Sequence, residues 1–236
     1  MMRNLVYGVD VSGVEEREGL TTGTAMIIVD KPTGENRIVV SPGANYALHA
    51  EELRAQKLPD LLIMQLEIPF ETVLAALAAA RREGVDVLLN PAPARRLPDE
   101  AYVGLAHLVV NETEAAILGE VEERELERET GLEKVGKEFI RKGVRNVIIT
   151  LGARGVYYRT KDGKRGLVPA EKARVIDTTA AGDTFVGRYA LDAVMAKKNG
   201  EPFDIDTAVR KANRAAAKTV EKAGAQDSIP WRDEIE

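Results

Sequence analysis

The sequence predicts an α/β protein in which a parallel sheet is covered on both faces by helices, with a small β appendage ahead of it. Three observations carry that prediction. From Leu58 onward, short continuous apolar runs such as Leu61–Leu66 and Asn146–Thr150 alternate with segments of helical period. Before Leu58 the texture differs, with β-branched stretches flanking a Pro/Gly turn. The length of 236 residues, with 44% hydrophobic and 30% charged side chains, suits one α/β domain with a small appendage.

Taken in order, residues 3–14 show no clear strand. Thr21–Asp30 reads as a strand, Lys31–Asn36 as a turn and Arg37–Val40 as the returning strand of a hairpin. Ser41–Asn45 is a loop, Ala50–Gln56 a short helix and Leu61–Leu66 the first strand of the body. Phe70–Glu83 is a helix with Val73, Leu74, Leu77 and Ala80 on one face and Gly84 as its stop. Val85–Leu89 and His107–Val110 are strands separated by a short element near Pro98–Tyr102. Glu112–Gly119 and Leu132–Lys142 are helices, and the charged run Glu122–Glu129 between them reads as a solvated surface. Asn146–Thr150 is a strand, and Gly155–Arg159 with Gly166–Val168 forms an antiparallel hairpin around Lys161–Lys164. Thr184–Lys198 and Ile205–Lys222 are the last helices, followed by a closing loop Ala223–Trp231.

Several function classes fall away on composition. With no cysteine, a disulfide framework, a thiol nucleophile and a thiolate metal site are excluded, which fits a reducing cytoplasm. Nothing in the sequence approaches a bilayer span, and Met1–Tyr7 does not open a signal core. A net charge of −5 with few aromatics gives no footprint for nucleic acid. Neither a Walker phosphate loop nor a Gly-x-Gly-x-x-Gly dinucleotide fingerprint occurs.

The chemistry concentrates in Val175–Phe185, an apolar strand end running into a small-residue turn that opens a helix. Ala180, Ala181 and Gly182 allow successive backbone N–H groups to converge on an anion at the helix start. Asp183 beside them is placed to accept a hydroxyl proton, which suggests phosphoryl transfer. The plainer alternative is an ordinary capped helix. Ligands of an open parallel sheet bind beyond the carboxyl ends of its strands, and those ends are polar here: Glu67, Asn90, Asn111–Glu114, Thr150–Gly152 and Asp177–Asp183. Each alone is an ordinary cap; together they favour a site. Asn111 and Glu112 suit phosphate and a hydrated Mg²⁺, or else simply open a helix with acids in its first turn. Asp177 and the Lys222–Ser228 loop suit an oxygen cage for a monovalent cation. His49 and His107 read as structural, and Trp231 as an anchor for the closing loop.

Thr178-Thr-Ala-Ala-Gly-Asp-Thr-Phe185 resembles the C-terminal signature of the ribokinase and phosphofructokinase-B family of sugar kinases. Further stretches occur in that family's order: Asn36–Val40 with Pro42–Asn45, Met64–Glu67, Asn90–Arg95, Asn111–Ala115, Thr150–Val156 and Gly224–Arg232. The resemblance covers nearly the whole chain. It implies a Rossmann-like αβα sandwich with a mostly parallel sheet and a β lid, N-terminally truncated. The division it implies is a lead-in over 1–20, a lid remnant over 21–45 and a nucleotide-binding body over 46–236. The implied activity is transfer of the ATP γ-phosphate to the 5-hydroxyl of ribose, with Mg²⁺ and K⁺.

By the same resemblance Asp183 is the general base, and Ala180, Ala181 and Gly182 form the anion hole. Asn111 lies at the ATP phosphates, Glu114 in a Mg²⁺-linked acidic motif, Thr150 and Gly152 along the nucleotide, and Asn213 near adenine. Asp177, Thr179, Thr219, Lys222, Gly224 and Ser228 match the potassium site, several through carbonyls. Glu67 matches a ribose-hydroxyl acceptor, and Ala25, Ile27 and Val40 match residues that cover the sugar. The similarity begins well inside the family's chains, so its Asn-x-Asp contact and Gly-Gly-Lys-Gly-Ala-Asn loop have no counterpart in this sequence. The expectation is an open sheet edge and a homo-oligomer through the lid or that edge. The competing functions are a non-catalytic nucleotide-binding or assembly module, and an NAD-dependent oxidoreductase, the latter disfavoured by the missing glycine fingerprint.

Overall fold

A computed structural model of the chain describes residues 8–29, 36–53 and 58–235. The turn expected at Lys31–Asn36 lies outside them except for Asn36, as does most of the second half of the helix expected over Ala50–Gln56. The described part of that helix is a single 3-10 turn, Ala50–Glu52, with His49 as its N-cap.

Strands β1 (Thr24–Val29) and β2 (Asn36–Ser41) form a separate two-stranded antiparallel sheet, paired Ala25 to Val40 and Ile27 to Ile38. The body is one six-stranded sheet in sequential order: β3 (Leu61–Met64), β4 (Asp86–Leu89), β5 (His107–Asn111), β6 (Asn146–Thr150), β7 (Val156–Thr160) and β8 (Arg165–Val168). The first four strands are parallel, while β6–β7 and β7–β8 are antiparallel. The sheet is therefore mixed, with the expected hairpin supplying the antiparallel part.

Helices α1 (Phe70–Arg82), α2 (Glu112–Gly119) and α3 (Glu129–Lys142) connect the parallel strands. Right-handed crossovers that all advance the same way across a sheet place their helices on one face. The core follows that rule. Val87, Leu89, Leu108, Val110, Val147, Ile149 and Tyr157 point to α1, α2 and α3, meeting Val73, Leu77, Ala115, Leu132 and Phe139. The intervening residues Leu88, Val109, Ile148, Val156 and Tyr158 point to the opposite face. There they pack on Phe185, Tyr189 and Val209 of α4 (Ala181–Asn199) and α5 (Ile205–Thr219), which enter the fold after β8. Strands buried on both faces explain why they read as continuous apolar runs.

The strands differ from expectation by one to three residues at their ends, and the larger departures lie in the helices and at Val175. Helix α3 begins at Glu129, and the charged run before it is a 3-10 turn, Glu123–Glu127, whose Leu126 is wholly buried. Helix α4 begins at Ala181, three residues early, and α5 ends at Thr219. Val175 and Ile176 end no strand and are exposed. Their backbone is tied elsewhere: the carbonyl of Val220, at the end of α5, accepts from the amides of Ile176 (2.7 Å) and Asp177 (3.3 Å).

His107 is buried at the amino end of β5, where its Nδ1 lies 2.8 Å from the Tyr189 hydroxyl. That end of the sheet is the far one from the polar rim, so a catalytic part for His107 has no geometric basis. Trp231 is half-exposed, and its backbone amide caps a 3-10 turn, Arg232–Glu234, by donating to Glu234 (2.7 Å).

Candidate active site

The four parallel strands end on one edge, which carries Glu67, Asn90, Asn111 and Thr150 as the sequence requires. Asn90 is bound into the sheet by donating to the carbonyl of Val109 (2.9 Å). Next to Thr150, a cleft of about 490 Å³ opens between the β6–β7 turn and helices α4 and α5. Its walls include Thr150, Gly152, Gly155, Ala181, Gly182 and Asn213. Five residues assigned separately by sequence are thus brought to one cavity: Thr150, Gly152, Ala181, Gly182 and Asn213. The lining also includes the segment Ala170–Ala173, Ala216 and Ala217 of α5, and Val220 just after that helix. These wall residues were not singled out by sequence, although Asn213, Ala216, Ala217 and Val220 share the i, i+3, i+4, i+7 spacing of one helix face.

At the cleft mouth, Ala180 adopts a left-handed conformation (φ 63°), unusual for a residue with a Cβ. Its carbonyl accepts from the amide of Thr184 (2.9 Å), closing the first turn of α4. The amide of Ala181 donates back to Thr178 (3.3 Å), so of the expected anion hole Ala181 is already engaged. The amides of Gly182 and Asp183 have no backbone acceptor among the described residues, as befits the first turn of a helix. Asp183 is exposed, and no described residue engages its carboxylate.

Asn111 and Glu114 bind each other. The Asn111 side chain accepts from the Glu114 amide (2.8 Å) while the Glu114 carboxylate accepts from the Asn111 amide (2.9 Å), a reciprocal cap on α2. Glu114 is buried, and burial raises its pKa above the usual carboxylate range. Asn213 donates through Nδ2 to the carbonyl of Pro169 (2.8 Å), which leaves its Oδ1 as an acceptor.

Of the residues carried over to the cation site, Asp177, Thr179 and Gly224 meet directly, while Thr219, Lys222 and Ser228 have other partners. Asp177 accepts from the amide of Thr179 (2.9 Å) on one oxygen and from that of Gly224 (2.9 Å) on the other, joining the turn to the closing loop. A hydrogen bond from the Thr179 side chain, followed by the amides of Gly224 and Thr179, holds the Asp177 carboxyl below its ordinary pKa. The Thr219 hydroxyl is buried against Thr184 (2.9 Å) between α4 and α5, and its carbonyl accepts from the Lys222 amide (3.1 Å). The Lys222 ammonium pairs with Glu234 (2.8 Å), and the buried Ser228 hydroxyl donates to the carbonyl of Ala225 (2.7 Å). No group of three or more His, Cys, Asp or Glu side chains suited to a metal occurs among the described residues.

Ala25, Ile27 and Val40 share one face of the β1–β2 ribbon, as their register requires, and that face is open to solvent. Glu67 is likewise exposed.

Comparison with known proteins places this geometry. The pfkB family carbohydrate kinase profile matches residues 4–232. The chain is 42% identical over 234 residues to the ribokinase of Schizosaccharomyces pombe, a match covering 97% of this chain and 71% of that one. The chain belongs to the pfkB family of carbohydrate kinases. As a pfkB-family protein it is a sugar kinase, a phosphotransferase. Among solved structures, ribokinase from Thermotoga maritima is similar with a TM-score of 0.76 and 39% identity, over 92% of this chain and 69% of that one. The ribokinase of Arabidopsis thaliana complexed with ribose and ATP has a TM-score of 0.75 at 25% identity, with the same coverage. These pfkB-family likenesses bear out the αβα architecture expected from the sequence.

Proposed function

We propose that the protein transfers the γ-phosphate of ATP to the 5-hydroxyl of ribose, with Asp183 as general base. The observation that carries this reading is the turn at Ala180–Asp183, where unengaged helix amides and a free carboxylate adjoin the cleft lined by Thr150, Gly152 and Asn213. Asp183 takes the proton of the sugar hydroxyl as its oxygen attacks the γ-phosphorus. The bond from that phosphorus to the β-bridging oxygen breaks, and ADP leaves. Negative charge developing on the phosphoryl oxygens is met by the amides of Gly182 and Asp183 and by the start of α4. Of the Ala180–Gly182 trio read from the sequence, Ala181 is tied to Thr178, and the Asp183 amide joins Gly182 as a further donor. The 42% identical ribokinase and the ribose and ATP complex of the plant enzyme support the choice of substrates.

Two cations accompany this chemistry. For K⁺, the donor chemistry fits in kind: the Asp177 carboxylate is joined to the closing loop at Gly224, and oxygen donors suit a hard cation. Mg²⁺ would neutralise polyphosphate charge when bound, and Asn111 and Glu114, held by their reciprocal cap at the start of α2, would stand toward it, mainly through its retained waters. Glu67 and the Ala25, Ile27 and Val40 face would enclose the sugar, with residues 21–45 as lid, 46–236 as body and 1–20 as a lead-in. Cytoplasmic residence fits the absence of cysteine from the sequence, and no described helix is long and apolar enough to cross a membrane.

Self-association follows from the same geometry. Strand β3 is paired on one side alone among the described residues, and Met26, Ile28 and Val39 on the far face of the ribbon are exposed. A homo-oligomer that covers either surface removes an apolar liability.

The test of the kinase reading is ADP release with ATP, Mg²⁺, K⁺ and ribose. Wild-type protein should release ADP only when ribose is present. Asp183→Ala should lose at least about 100-fold of that rate while retaining ATP binding. Binding of ATP without any sugar-dependent release would favour the non-catalytic module instead.

A further inference from the structure

We infer that Arg154 is a positioning residue that sets nucleotide affinity, by fixing the loop carrying Gly152 against the start of α2. The inference rests on the cleft being the ATP site. Arg154 ends the 3-10 turn Gly152–Arg154 between β6 and β7, and its guanidinium reaches across to two other segments. Its Nη1 donates to the carbonyls of Leu126 (3.2 Å) and Glu127 (3.1 Å), and its Nη2 donates to Leu126 (3.2 Å) and to the Glu112 carboxylate. Glu112 is the first residue of α2, next to Asn111, whereas Leu126 and Glu127 belong to the 3-10 turn before α3. A second tie, from the Thr113 hydroxyl to Glu123 (3.2 Å), joins those two segments independently.

One side chain therefore links three segments that are separate in sequence, and two of them carry residues placed along the nucleotide. The planar, five-donor fork of arginine spreads its donors over separate nitrogens and so reaches all these acceptors at once, whereas the three donors of a lysine ammonium sit on one atom. A second effect is electrostatic. A bare Glu112 carboxylate at the start of α2 would repel a polyphosphate bound beside Asn111, and pairing with Arg154 offsets that charge. Arg154 makes these contacts on the side of the loop toward α2 and the turn before α3, so its effect belongs to nucleotide binding rather than to the chemical step.

Calorimetric ATP binding by the wild type, Arg154→Ala, Arg154→Lys and Glu112→Gln/Arg154→Ala proteins tests this, with steady-state kinetics alongside. Arg154→Ala should weaken ATP binding and raise the KM for ATP by about tenfold or more, with kcat and the KM for ribose within about twofold of wild type. Arg154→Lys should fall between, and removing the Glu112 charge should recover part of the loss. If Arg154→Ala fails to fold, the Arg154→Lys loss decides. Wild-type binding with unchanged affinity in the Arg154 variants would overturn the inference alone. Failure of the wild type to bind ATP would overturn both it and the kinase reading.

Discussion

His107 shows how burial fixes the behaviour of a single residue. Burial, followed by the nearby Arg145 charge and against the opposing pull of Asp86, pushes its pKa down to about 4 from 6.5. Between those values the unfolded chain binds the proton and the folded one does not. Stability from this residue is thus present above about pH 6.5 and is lost as pH falls toward 4, to a total of about 3 kcal/mol. Urea unfolding of wild type and His107→Gln should show a stability difference that shrinks across that window. Gly155 makes the opposite demand, on shape rather than charge. It has φ +102°, and a Cβ there would stand 2.0 Å from the carbonyl of Val168. Gly155→Ala should cost about 3 kcal/mol or more, read as a lowered denaturation midpoint, because left-handed strain and overlap add.

At the scale of elements, the strands were legible because both faces of the sheet are buried. Val87, Leu88 and Leu89 alternate between two cores, yet all three are apolar. Helix α3 was read three residues short because Glu129-Thr-Gly131 looks like loop. Gly131 is there for closeness, since a Cβ would meet the Glu125 carbonyl at 2.0 Å. Leu126 escaped notice as a lone apolar residue in a charged run, although it fills the core beneath that turn. Val175 and Ile176 misled in the other direction: β-branched side chains imitate a strand end, while the amides of Ile176 and Asp177 bond to the end of α5. The anchor of that segment is Asp177. If it also holds K⁺, Asp177→Asn should lower the apparent K⁺ affinity in the ADP-release assay by about tenfold, the worth of one charge-assisted contact. An unchanged K⁺ dependence would remove Asp177 from the cation site.

The whole molecule presents two unequal parts, a body with two well-filled cores and a ribbon whose apolar side chains face water. Asp183, Gly182 and Thr150 were legible as a group because the sequence places them on one polar rim, and Asn213 only through the family resemblance, while the Ala170–Ala173 wall was not, since its place depends on packing between distant segments. Ribbon and open β3 edge lead to a prediction at this scale. Sedimentation should find a dimer or larger species, and Met26→Lys with Val39→Lys, opposite one another in the register, should shift it toward monomer if the ribbon is the contact. A monomer in the wild type at micromolar concentration would leave both surfaces bare and refute the assembly. The central claim is phosphoryl transfer to ribose at Asp183. Phosphorus-31 NMR of wild type and Asp183→Asn, each incubated with ATP, Mg²⁺, K⁺ and ribose, reads it most directly. The wild type should build up a phosphomonoester on the 5-hydroxyl of ribose as ATP turns to ADP, and the variant should not. An equal yield from both, or no phosphomonoester from a wild type that binds ATP, would contradict it.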